Sequence, residues 1–152
     1  MTEKINSFYI SGTKNVRPEL FSDFAEKVAK SFAHVSADPK DSKKERRNGV
    51  TSTQLRRLFD EVKRYERLIT DDDSKSWDLQ YPYIKMIKSK VHYATARAKK
   101  NSKYDSIYYD NLCAFISEGI DLIKSVQDYH IFVSLFEAVY GFYYENRPDI
   151  KN

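Results

Sequence analysis

Cysteine, glycine and proline are scarce in this chain, and long apolar runs are missing. The 152 residues include four glycines, four prolines and a single cysteine, Cys113. One cysteine excludes a disulfide framework or a multi-cysteine metal site within one chain, and it fits a reducing, cytoplasmic compartment. So few turn-forming residues argue against a β-sandwich. No run of 18 apolar residues occurs, and residues 1–30 lack a secretory pattern, so we expect neither a membrane span nor secretion.

Motifs for catalysis and metal binding are also missing. The sequence contains no GxGxxG, GxxxxGK[ST], GxSxG or HExxH motif. The three histidines, His34, His92 and His130, fall in three different predicted helices, and none has a carboxylate or cysteine partner at ligand spacing. Acid–base cleavage of RNA needs two groups poised around one phosphate, and no second histidine lies near His92. We therefore predict a non-enzymatic protein without catalytic residues, metal or cofactor.

Charge is unevenly distributed along the chain. Residues 1–103 contain 23 Lys or Arg and 14 Asp or Glu, a net charge of +9, whereas residues 104–152 contain 3 and 8, a net charge of −5. From Leu79 to Tyr104 there are seven basic residues and no acidic residue. Soluble helices usually mix both signs, so this asymmetry indicates one surface that faces a polyanion.

Apolar residues recur at helical spacing in five segments. They predict helices at about 18–34, 51–69, 81–98, 104–124 and 127–146. Residues 1–17 are weakly patterned and fit either a short strand or an arm, flexible or ordered. Residues 36–50 contain proline, glycine and many charges, and we expect them to form an exposed basic loop. The predicted fold is an all-α, single-domain bundle of about five helices over residues 1–152.

Basic side chains on the two middle helices indicate a phosphate-facing surface. Those of the second predicted helix lie opposite its apolar side: Arg56, Lys63, Arg64 and Arg67. Those of the third are Lys88, Lys90 and Arg97. Lys90, Tyr93 and Arg97 follow the i, i+3, i+7 spacing, so one ligand can touch all three. Arginine holds phosphate through paired charged hydrogen bonds, and a tyrosine hydroxyl can bind phosphate or sugar.

The start of the second predicted helix has the features of an anion site. Thr51 and Gln54 have the spacing of a capping box. Unpaired backbone N–H groups and the helix dipole favour a phosphate at such a position, beside the hydroxyls of Thr51 and Ser52. Arg46 and Arg47 lie just upstream, and Asn48 with the following glycine permits a tight turn. The sequence therefore predicts phosphate contacts on both sides of this turn.

Two motifs and one helix carry a family resemblance. The motifs are NGVTSTQLR at residues 48–56 and KSKVHYATAR at residues 88–97, and the helix is SVQDYHIFVSLFEAVYGFYYE at residues 125–145. Together they resemble the small subunit of type III-A CRISPR (Csm) effector complexes, over about residues 46–146. The resemblance implies an all-α, non-enzymatic subunit of an antiviral ribonucleoprotein. Its copies would stack into a minor filament that lines the channel for CRISPR RNA and target RNA and contacts backbone rather than bases.

The resemblance also implies which side chains face RNA. Carried over residue by residue, they are Asn48, Thr51, Ser52, Arg56, Lys88, Lys90, Tyr93 and Arg97. The charge distribution adds Arg46, Arg47, Lys63, Arg64 and Arg67. Two alternatives stay open at this stage: Tyr93 packs in the core, or Arg97 pairs with an acid of a neighbouring helix.

The expected partners follow from the same resemblance. They are CRISPR RNA, target RNA, the other Csm subunits and further copies of this chain, either in a filament or as an isolated dimer. Two interpretations outside the family remain. One is a helical scaffold whose basic face docks an acidic protein partner, and the other is a small DNA-binding regulator.

Overall fold

The computed structural model of the chain describes residues 4–69 and 73–149. Five α-helices and two strands form within them, in this order: α1 (Asp23–Lys30), β1 (Ala33–Ala37), β2 (Glu45–Gly49), α2 (Ser52–Leu68), α3 (Ser74–Asn101), α4 (Ser106–Leu122) and α5 (Val126–Asn146). Two short 3-10 helices, Pro18–Phe21 and Lys103–Asp105, precede α1 and α4. The protein is thus mostly helical, as predicted, but the prediction of an all-α fold was wrong because the two strands form a small sheet.

The first predicted helix is shorter than its apolar spacing suggested. Phe32 continues the stripe of α1 and is fully buried, but it enters the core from the turn between α1 and β1, where its N–H donates to the Ala29 carbonyl at 3.1 Å. β1 pairs antiparallel with β2, with Ala33 opposite Gly49. Gly49 has a φ of 135°, and a Cβ there would overlap the Phe32 carbonyl. Residues 45–49 of the predicted loop form β2, because strand pairing satisfies their backbone groups, whereas residues 38–44 connect the two strands and are mostly exposed.

α3 begins about two turns before its predicted start near Tyr81. Asp73 caps the helix, because its Oδ1 accepts a hydrogen bond of 2.9 Å from the Lys75 backbone N–H. Pro82 then stands inside the helix. The extra turns bury Trp77, whose ring stacks on Tyr81 with the centroids 4.7 Å apart. Burial of this large ring offsets the cost of a proline inside the helix. The neighbouring residues 71 and 72 of the predicted acidic loop lie outside the described residues.

α5 lies at the centre of the packing. Nine of its residues are buried, and the Phe136 ring meets the Phe115 ring of α4 edge-on at 5.8 Å. Two buried tyrosines attach α5 to α2, the first at the middle of α2 and the second just before its start. The Tyr129 hydroxyl donates to the carbonyl of Val62 at 2.7 Å, and the Tyr143 hydroxyl donates to the carbonyl of Val50 at 2.5 Å. Because Val50 lies just before α2, the second bond fixes where that helix begins.

Residues 4–17 pack against α4 and α5. Ile5 and Phe8 are buried, and the Ile5 backbone N–H donates to Glu118 of α4 at 3.3 Å. The Tyr9 hydroxyl donates to Asp128 near the start of α5 at 2.5 Å. The interpretation of the whole chain as one domain stays a prediction.

Candidate nucleic-acid interface

α2 begins in the predicted capping box. Thr51 Oγ1 accepts a hydrogen bond of 3.3 Å from the Gln54 backbone N–H, and Gln54 Oε1 accepts one of 3.0 Å from the Thr51 N–H. The Tyr109 hydroxyl of α4 also donates to Gln54 Oε1. These bonds fix the first turn of α2 against α4. The hydroxyl of Thr51 is therefore hydrogen-bonded within the helix cap. Its contribution to the predicted phosphate site is to fix the position of the helix start.

A carboxylate of this chain occupies the anion position at the start of α2. The Ser52 hydroxyl and its backbone N–H both donate to Asp149, which follows α5. Partial burial raises the pKa of the Asp149 carboxyl, but the hydrogen bonds from Ser52 and the charge of Arg147 outweigh it, so the pKa lies below its ordinary value. In this structure a carboxylate of the same chain lies at the start of α2, and phosphate binding there stays a prediction.

The three predicted site residues of β2 divide between its two faces. The Arg47 side chain is 14% exposed and packs on the end of α5, where its Nη1 donates to the Arg147 carbonyl at 3.3 Å. Its Nη2 pairs with Glu45 at 2.7 Å. Strand alternation directs Arg46 and Asn48 to the opposite face. Arg47 therefore ties the hairpin to α5, whereas Arg46 is exposed to a ligand.

The four basic residues predicted on α2 differ in whether they form ion pairs. Lys63 and Arg64 pair with glutamates of the same helix at 3.2 and 3.5 Å. Arg56 lies 3.8 Å from Asp60, and its side chain is 74% exposed. Arg67 is exposed and has no ion pair within the described ranges. Long, exposed ion pairs contribute little energy, so Arg56 and Arg67 are the more available cations of this helix.

The basic residues of α3 divide between two sides of the helix. Lys88 turns toward α4 and pairs with Asp121 at 2.9 Å. Lys90 turns toward α2 and pairs with Glu61. Tyr93 and Arg97 share the side of Lys90, as the i, i+3, i+7 spacing requires. The structure therefore brings together three of the four residues predicted on this helix, and it separates Lys88 from them.

A groove of about 340 Å³ between α2 and α3 brings together two arginines and an exposed tyrosine. Tyr93 is 66% exposed, and the guanidinium carbon of Arg97 lies 5.7 Å from the centroid of its ring. Arg57 of α2 also lines the groove. Neither guanidinium has an acid within 4.0 Å in the part of the chain that the structure describes. Tyr93 is therefore outside the core, and Arg97 forms no ion pair with any acid of the described residues, so neither open alternative holds there.

Arg57 is absent from the residues predicted from sequence. The cations predicted from charge lie opposite the apolar side of α2, whereas Arg57 borders that side, one residue before Leu58. Gln54, Arg57 and Leu58 all line the groove. The signal that identifies Arg57 is its spacing of three residues from Gln54, which puts both on the same side of the helix.

The fold and these side chains define a class of small, mostly helical proteins with a basic groove beside an exposed aromatic ring. Among the described residues, no helix is long and apolar enough to cross a membrane, and no group of three His, Cys, Asp or Glu is placed to hold a metal ion. No curated protein and no solved structure matches the chain significantly.

A comparison with protein families identifies the chain more closely. The sequence model of the family Csm2 Type III-A matches residues 17–146. The match spans most of the chain, so the protein belongs to this family and is a small subunit of type III-A CRISPR (Csm) complexes. The resemblance drawn from the motifs is thereby confirmed. The family consists of non-catalytic small subunits that associate with the other Csm subunits.

Proposed function

We propose that this chain lines the RNA channel of a type III-A complex and binds the backbone of CRISPR RNA and target RNA without reading their sequence. It acts in antiviral defence in the cytoplasm and contributes no catalytic group. The observation that carries the proposal is the pair of arginines in one groove, Arg57 and Arg97, neither of which has an acid partner in the described ranges. A guanidinium without such a partner binds phosphate without first giving up an ion pair.

The other predicted contacts support this groove to different degrees. Arg56 and Arg46 are exposed and need no rearrangement to meet a phosphate. Lys90 borders the groove side of α3 and contacts RNA by exchanging Glu61 for phosphate. Ser52 meets RNA only when Asp149 leaves the start of α2. RNA contact by five other predicted residues is a weaker part of the proposal because their side chains are engaged elsewhere: Arg47, Lys63, Arg64, Thr51 and Lys88.

RNA binding by the full chain tests this function. Affinity is measured for two single-stranded RNAs of equal length and unrelated sequence, and for duplex DNA, over a series of salt concentrations. We expect equal affinity for the two RNAs and a negative slope of about 0.7 per phosphate contact in a plot of log affinity against log salt. Preference for one duplex DNA sequence would instead indicate the regulator. Tight binding of an acidic protein without RNA binding would indicate the scaffold.

A second surface supports association between subunits. Leu79, Tyr83 and Met86 of α3 follow the i, i+4, i+7 spacing, and all three are exposed. Leu68, the last residue of α2, is exposed as well. Exposed apolar side chains that share a helix face are typical of protein contacts. We assign this face to the neighbouring copy in the filament that the family resemblance implies. Sedimentation of the chain with and without Leu79→Asp tests the assignment, and unchanged association would refute it.

A further inference from the structure

We propose that the groove between α2 and α3 binds one unstacked nucleotide of single-stranded RNA. The base lies against the ring of Tyr93, and Arg57 and Arg97 hold the flanking phosphates. The proposal rests on the proposed RNA binding and adds a base contact to a surface expected to touch only backbone.

Tyr93 is free to receive a base. Its ring is two-thirds exposed, and Arg97 is its ring partner among the described residues. The other exposed tyrosine in the middle of α3, Tyr83, lies outside the groove, among Leu79 and Met86. An aromatic ring beside a guanidinium presents a flat apolar surface and a positive charge within one site. A nucleotide has the matching pair, a planar base joined to a phosphate.

The size and lining of the groove suit a single base. Ala94 and Ala98 leave space beside Tyr93, because longer side chains at these positions would fill it. Leu58 gives the opposite side of the groove an apolar surface. The amide of Asn101 lies at the C-terminal end of α3 and offers a donor and an acceptor to a base edge. A volume of about 340 Å³ is at the small end of the range for ligand sites.

A base contact of this kind does not require sequence reading. Every base has a π-face, so stacking on tyrosine tolerates all four. An acidic peptide would satisfy the two arginines but would leave the Tyr93 ring uncovered. The exposed ring therefore favours a nucleotide over a carboxylate-rich partner.

Fluorescence of 2-aminopurine tests the proposal. The full chain is titrated with a single-stranded RNA that carries one 2-aminopurine, and with the same RNA carrying an abasic site at that position. We expect binding to quench the fluorescence and the abasic RNA to bind more weakly, by roughly tenfold. Tyr93→Leu should abolish the quenching and weaken binding by a similar factor, whereas Tyr93→Phe should preserve both. Tyr104→Leu is the control, because Tyr104 is exposed and lies outside both the groove and the face assigned to the neighbouring copy, and it should behave as the native chain does.

Different failures have different meanings. If the native chain binds RNA with the expected salt dependence, but Tyr93→Leu and the abasic RNA leave affinity unchanged, the base site is refuted and the backbone-binding function stands. If polyglutamate of equal charge displaces the RNA as well as unlabelled RNA does, the groove is a general anion site and the proposal fails. If the native chain binds no RNA, either alone or assembled with the other Csm subunits, the proposed function itself fails.

Discussion

Ser52 and Asp149 meet at the first turn of α2, where the Ser52 hydroxyl and backbone N–H donate to the Asp149 carboxylate. The chain that leaves α5 thus returns to the one helix start that the sequence predicted to bind phosphate. A carboxylate and a phosphate use the same unpaired N–H groups and the same end of the helix dipole. Asp149 and an RNA phosphate therefore compete for one position.

Replacing this carboxylate should strengthen RNA binding. Asp149→Asn removes the competing charge, so we expect the affinity for single-stranded RNA to rise several-fold at low salt. The same change should lower the free energy of unfolding by about 0.5–1 kcal/mol, because a negative charge at the helix start is lost. Asp121→Asn, which removes an equal charge from the α4 side, is the control and should have a smaller effect on affinity. Equal effects of the two variants would mean that only net charge matters.

The two arginines of the groove should determine the salt dependence of binding. Arg57→Ala with Arg97→Ala removes two cations that lack ion-pair partners in the described residues. We expect the slope of log affinity against log salt to become less negative by about 1.4, or 0.7 for each lost contact. Lys88→Ala with Lys99→Ala removes the same charge from residues paired with Asp121 and Asp110. Unless the arginine pair changes the slope more than this lysine pair does, the groove is not the RNA surface.

The sequence predicts best those elements whose signals are local. The capping box of Thr51 and Gln54 and the apolar spacing of α2 identify the helix correctly, because both signals come from residues that are three or four positions apart in the sequence. β1 and β2 escape prediction because their position depends on distant partners: Arg47 is held by the end of α5, and Asp105 accepts from the Gly49 N–H at 2.9 Å. Neither strand shows strong apolar alternation.

The difference between local signals and distant contacts also explains which features of the candidate site the sequence predicts. The spacing of Lys90, Tyr93 and Arg97 is a local property of α3, and the structure places them on one side as predicted. Which cations are already paired is decided by acids on other helices, such as Glu61 for Lys90 and Asp121 for Lys88. Sequence patterns do not show those partners.

Gly119 should be needed for the packing of α4 on α5. A Cβ at this position would overlap the ring of Phe132, which is fully buried and has no room to move. Gly119→Ala should therefore lower the free energy of unfolding by about 1–2 kcal/mol, since overpacking outweighs the gain in helix propensity. Gly141→Ala in α5 is the matched control, because nothing lies within 4 Å of its Cβ position. That variant should be more stable by about 0.5–1 kcal/mol. Urea denaturation of the three proteins measures both changes, and stabilisation by both substitutions would contradict the predicted overlap.

The bond between Tyr9 and Asp128 should make stability depend on alkaline pH. Burial, the hydrogen bond to Asp128 and the negative charge of that carboxylate raise the pKa of Tyr9 to about 12. The folded state thus favours the neutral phenol, and its contribution is complete below about pH 10, the ordinary pKa of tyrosine, and is lost as the pH rises toward 12. At pH 7, Tyr9→Phe should lower the free energy of unfolding by about 1 kcal/mol, because Asp128 loses a donor.

Urea denaturation of both proteins between pH 7 and pH 11.5 measures this dependence. The difference between native chain and variant should be constant up to about pH 10 and then shrink, because the native phenol loses its proton while phenylalanine has none to lose. The buried tyrosines of α5 titrate in both proteins and cancel in the difference. Tyr104→Phe is the control. Tyr104 is almost fully exposed, so its replacement should change neither the free energy of unfolding at pH 7 nor its dependence on pH. If the difference in free energy of unfolding between the native chain and Tyr9→Phe stays constant to pH 11.5, the hydroxyl of Tyr9 does not hold residues 4–17 against α5.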